Sequence, residues 1–269
     1  MVADHAIRRG AMSEMPRNGF RSSGALSRPA KFQFIVQAIA ARLAAIAKRQ
    51  SPAHERVASD RLDPAAIMLP DSSAALSASA HAQALCKPWL FQHCLRTYAW
   101  AALLAQTDRI RFDRELLFVA CALHDLGLSE MRDGHASDCA CFAVEGAREA
   151  RRFCAERIGW DNERCDRLAE AIALHLNVSV GLKHGPEAHL LNAGAAFDVV
   201  GLRWREIAEN ARRTVLSVHP RLDFKTGMIA QMKSQARNRP DSRAALLVKL
   251  GFCNMIRDAP FEDDRACPG

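Results

Sequence analysis

The chain has 269 residues, 49% of them hydrophobic, and a formal net charge of +7, which is enough apolar surface for one generous domain with an appendage. Its nine cysteines are odd in number and lack CxxC spacing, which argues against a disulfide framework or a zinc knuckle and suits a reducing, cytoplasmic setting. Residues 1–62 hold 11 Lys/Arg against 4 Asp/Glu, leaving 26 of each sign in residues 63–269, so the basic balance is no argument for nucleic-acid binding by the folded body.

Ala and Leu dominate the apolar set and long Val/Ile/Thr runs are few, so an all-α protein is expected. Residues 1–30 are rich in Arg, Ser, Gly and Pro and read as a low-order, dispensable segment; Met12 and Met15 offer alternative starts, and Arg8-Arg9 lacks the apolar stretch of an export signal. One amphipathic helix is expected over 32–49, a docking or interfacial element with basic ends that also suits a membrane surface. Pro52, Pro64, Pro70 and the Ser72 to Ala84 stretch read as linker with short helical pieces, making 1–84 a flexible basic segment and 85–265 the body. Six helices follow in the sequence: Phe91 to Ala105, Arg114 to Leu126, Phe142 to Ile158, Asn162 to His175, Ala188 to Val200 and Trp204 to Val218. Pro220, Pro240 and Pro260 then divide a region of shorter helices.

The body is organised around Leu116 to Leu128, an apolar run ending in the doublet His124-Asp125 and then Gly127. A carboxylate there must be paired, hydrogen-bonded or hold a cation. Candidate partners come in order: His93 on the preceding helix, His175 closing a later one, and Asp198 between Ala195-Ala196-Phe197 and Val199-Val200, where the surroundings demand a cation. Neutral imidazole and carboxylate together suit zinc, iron, manganese or nickel, with positions left for water. Arg96, one turn after His93, is placed to meet an anionic group or to pair with a neighbouring carboxylate. His135, His184 and His189 read as surface histidines, and Cys139 with Cys141 as packing in an Ala-rich helix.

The order His93, His124-Asp125, Asp198 on a helical bundle resembles the HD superfamily of metal-dependent hydrolases. His93 to Tyr98, Ala122 to Leu128, Phe142 to Ala147, Ala171 to His175, Gly194 to Gly201 and His219-Pro220-Arg221 are further similar to its cyanamide hydratase-like branch, over roughly 85–262. That resemblance implies an HD-type bundle with metal ligands at His93, His124, Asp125 and Asp198. It also implies a rim position for His175 as a proton-transferring group, and places Arg96 and Glu145 near the pocket. The branch usually shows Phe-Glu-Val-Asp-Gly-Ala where this chain has Phe142-Ala143-Val144-Glu145-Gly146-Ala147, so the acidic groups of that segment differ.

Asp125 and His175 are the expected catalytic pair and Arg96 and Glu145 the expected substrate contacts. The chemistry expected is attack of a metal-activated water on a small molecule, hydration of a nitrile-type substrate or, alternatively, hydrolysis of a phosphate ester. Only Arg96, Lys183 and Arg203 are candidates to read a phosphate, which favours a small, uncharged substrate. A further alternative is a non-catalytic regulatory module holding a structural metal. A homo-oligomer is also compatible with the sequence.

Overall fold

The computed structural model describes residues 19–50, 67–129 and 141–262, with residues 42–50 described by their backbone. Met12, Met15, Arg8-Arg9, Pro52, Pro64, His135 and Cys139 lie outside those residues. Among the described residues the protein is all-α and strand-free. Its helices are α1 (Arg28–Gln50), α2 (Ser73–Leu85), α3 (Pro88–Asp108), α4 (Arg114–Leu123), α5 (Phe142–Phe153), α6 (Asn162–Leu174), α7 (Pro186–Val200), α8 (Glu209–Val218), α9 (Phe224–Asn238), α10 (Arg243–Lys249) and α11 (Phe252–Arg257).

α4 is the hub, with α2, α3, α6 and α7 packed around it and every residue from Leu116 to Leu123 buried. Its start is set by Asp113, whose side chain accepts from the Leu116 amide at 2.9 Å, a cap that contributes about 1 kcal/mol. The expected continuation to Leu126 does not occur. The helix stops at Leu123, and Asp125 takes φ −104° and ψ 17° before a 3-10 turn at Leu126–Leu128, so the doublet sits on a corner and not on a helix face.

That corner is held by close backbone packing. A Cβ on Gly127 would stand 2.1 Å from the Phe142 carbonyl oxygen, and one on Gly146 would stand 2.9 Å from the Gly127 nitrogen. α5 thereby seats its first turn directly under the doublet. α3 and α7 lie along one another, with Gly194 removing the side chain that would strike the Thr97 carbonyl at 2.4 Å.

Two expectations for the front of the chain meet a different structure. Ser72 to Ala84 forms most of a single helix capped by the Ser72 hydroxyl, and Ala74, Ala75, Ala78 and Ala82 are buried. Alanine-only contact surfaces let α2 approach α4 closely, which is why a stretch of linker-like composition is core. Phe20 is also buried in the main core, and Arg148 holds its carbonyl at 2.8 Å, so residues from 19 onward are tied to α5. Further along, the helix expected from Trp204 is a 3-10 turn at Trp204–Glu206 followed by α8 from Glu209.

Candidate metal centre

Three imidazoles surround one carboxylate. The Nε2 atoms of His93 and His124 lie 3.5 and 3.3 Å from Asp125 Oδ2, and His175 Nε2 lies 3.5 Å from Asp125 Oδ1. All four side chains are buried. Each ring is aimed through its other nitrogen. His124 Nδ1 bonds the Cys121 carbonyl at 2.7 Å and His175 Nδ1 the Ile172 carbonyl at 2.6 Å, and because a carbonyl only accepts, both Nδ1 atoms carry the hydrogen. His93 Nδ1 donates to Asp198 Oδ2 at 2.7 Å.

The consequence is electrostatic. The three Nε2 atoms converge on an anionic carboxylate, an arrangement that calls for positive charge at its centre, a metal ion or a proton; burial opposes a charged His124, but Asp125 outweighs it and raises that imidazole above its ordinary value. His93, His124 and Asp125 offer donor atoms all within 4.8 Å of one another, so the donor set fits a divalent transition metal. Burial works against ionising Asp125, but His124, His175 and His93 outweigh it and hold the carboxyl well below the usual range. Burial, with His124 adding, pushes the His175 imidazole down to about 3, so this ring is neutral with its acceptor nitrogen facing Asp125. Asn192 Nδ2 donates to the His175 carbonyl at 2.8 Å and fixes the backbone there.

Asp198 reaches the centre through His93. It is buried, yet it stands outside the three-residue group and both its oxygens are already engaged. Arg96 Nε and Nη2 donate to Oδ1 and Oδ2 at 2.8 and 2.9 Å, Trp100 Nε1 donates to Oδ1 at 2.8 Å, and Arg221 Nη1 approaches Oδ1 at 3.3 Å. The cation that its apolar setting demands is a pair of guanidiniums. Burial disfavours its charge, but Arg96 and Arg221, with the His93 hydrogen bond, hold it well below the usual carboxylate range.

Arg96 therefore does not sit where a substrate contact was expected. Its remaining nitrogen Nη1 donates to the Pro220 carbonyl at 2.7 Å and the His219 carbonyl at 3.3 Å, and the guanidinium is fully buried behind Asp198. Glu145 pairs with Arg239, the residue that closes α9, at 2.5 Å, tying α5 to the end of α9. Arg203, another candidate phosphate reader, is bound to Asp108 and Glu206.

Trp100 and Arg221 were not singled out individually as site residues. Trp100 sits at i+4 from Arg96 and so on the same helix face, a spacing that carries a signal only once Asp198 is known to face α3. Arg221 lay inside the His219-Pro220-Arg221 segment, but nothing in its composition indicates a buried charge.

The HD-domain family model matches residues 90–249, more than half of the chain, and the match takes in the His124-Asp125 doublet, His93 and Asp198. No curated protein matches the chain.

Proposed function

The chain belongs to the HD-domain family, and from that premise we propose that it is a metal-dependent enzyme that adds water to a small, uncharged, nitrile-type molecule, a cyanamide hydratase-like activity. His93 Nε2, His124 Nε2 and an Asp125 oxygen would hold the ion, zinc first and iron, manganese or nickel as alternatives with the same donor preferences. When bound, the metal supplies Lewis acidity that brings the pKa of a water toward neutrality. Asp125, with one oxygen toward His93 and His124 and the other toward His175, orients that water as a hydrogen-bond acceptor. His175, neutral and with Nδ1–H fixed on Ile172, presents Nε2 as the proton-transfer group, passing the water's proton on to the product nitrogen without resting as an imidazolium.

Asp198 acts in this reading as the residue that orients His93, and Arg96, Trp100 and Arg221 hold Asp198 in turn. Glu145 acts in it through its ion pair with Arg239. The observation that carries the choice of an uncharged substrate is the direction of two guanidiniums: Arg96 and Arg221 both turn onto Asp198, which commits them to that carboxylate and not to a phosphate.

Elemental analysis of the purified protein, with cyanamide hydration and hydrolysis of a phosphate-ester panel measured on the same sample, tests this. Stoichiometric transition metal with urea formed from cyanamide is the expected result. Phosphate release without urea would move the enzyme to phosphoester chemistry, and absence of bound metal would end the enzymatic reading.

A further inference from the structure

α1 presents an apolar face that nothing among the described residues covers. Phe34, 6% exposed, turns one side of the helix inward, whereas Phe32, Val36 and Ile39 on the opposite side are 70%, 48% and 51% exposed. Their i, i+4, i+7 spacing puts them on one stripe, and in the sequence Leu43 and Ile46 continue the same interval. The other large exposed apolar side chains, Met68, Leu76, Leu182, Leu202, Val218 and Met255, come singly on separate elements and need no partner. Among the described residues no helix is long and apolar enough to cross a membrane.

Charge decides which occupant. The sequence of α1 has no acidic residue, and besides Lys31, which is paired with Asp241, it carries Arg28, Arg42, Lys48 and Arg49. Pairing with a second copy would bring two such helices together and set like charges side by side; an anionic surface would neutralise them. The root of the helix is anchored to the body. Leu26 N bonds the Asp241 carbonyl at 3.0 Å and Lys31 pairs with the Asp241 carboxylate at 2.5 Å. Next to that anchor lies a groove of about 270 Å³ with an apolar floor of Ala236, Pro240, Ala245 and Val248 and with Lys233, Arg237 and Lys249 at its border.

We propose that α1 docks the protein on an anionic lipid bilayer, lying in the headgroup region with Phe32, Val36 and Ile39 inserted and with the Lys233, Arg237 and Lys249 groove adding attraction at its root. This is the behaviour of a basic amphipathic helix of interfacial type.

Vesicle co-sedimentation of the full chain tests the proposal. Binding is expected to mixed phosphatidylcholine and phosphatidylglycerol vesicles and not to phosphatidylcholine alone, falling about tenfold when salt is raised to roughly 0.5 M. The triple change Phe32→Glu, Val36→Glu, Ile39→Glu should abolish binding while circular dichroism and metal content stay as in the parent; Val36→Glu alone should be intermediate. Failure of the parent to bind mixed vesicles, or undiminished binding by the triple variant, would overturn it. So would a dimer in sedimentation equilibrium that the triple variant dissolves, because the face would then belong to a second copy.

Discussion

Asp198 joins two buried guanidiniums to a histidine of the candidate metal centre. It neutralises two buried guanidiniums while aiming His93, so its two duties separate by substitution. Asp198→Ala leaves Arg96 and Arg221 buried with their shared anion removed and should destabilise the protein by about 3–5 kcal/mol in chemical denaturation. Asp198→Asn keeps the shape and should retain metal at saturation while losing about 10–100-fold in affinity, the usual effect of altering a residue that orients a ligand. His124→Ala should abolish stoichiometric binding altogether. Equal metal loss in Asp198→Asn and His124→Ala, measured by competition with a chelating dye, would instead make Asp198 a ligand. The sequence marks Asp198 as an anion needing a cation, because Ala195, Ala196, Phe197, Val199 and Val200 flank it. It does not mark which cation, since Arg96 lies 102 residues away and chain order carries no distance.

The decisive element is the short corner after α4, because it converts a buried hydrophobic helix into a ligand-bearing turn. Gly127 and Gly146 allow α5 to come within backbone contact of that turn, which leaves no room for a methyl group. Gly127→Ala should cost about 1–3 kcal/mol or more through overpacking and should weaken metal binding, because the displaced backbone carries His124 and Asp125. A Gly127→Ala protein with unchanged melting temperature and metal affinity would show that the corner is not constrained in this way. Helical periodicity made the cores of α3 to α7 legible, but the same periodicity ran α4 on to Leu126. Apolar pattern is blind to the break at Leu123, since residues on either side of it are equally buried. α2 was obscured for a related reason: a helix of alanines and serines has the composition of a linker until a partner close enough to use its small side chains is known.

At the scale of the whole molecule the buried histidines tie stability to pH. Burial, with Arg96 adding, pushes the His219 imidazole down to about 4, whereas the unfolded chain takes up that proton near pH 6.5. Between those values the unfolded state binds more protons, so stability is complete above about pH 6.5 and is lost as the pH falls toward 4. His219→Gln should flatten this slope by an amount on the order of 1–2 kcal/mol once partial solvent screening is allowed for, read as melting temperature from pH 7 to 5; an unchanged slope would remove His219 from the account. His124 and His175 also share a position, each closing the C-terminal end of its helix and bonding a carbonyl of the last turn. Two helix macrodipoles therefore point their negative poles at the same carboxylate. Such a convergent field favours a doubly charged cation over a monovalent one at that carboxylate, a preference set by backbone direction and so beyond the reach of side-chain replacement.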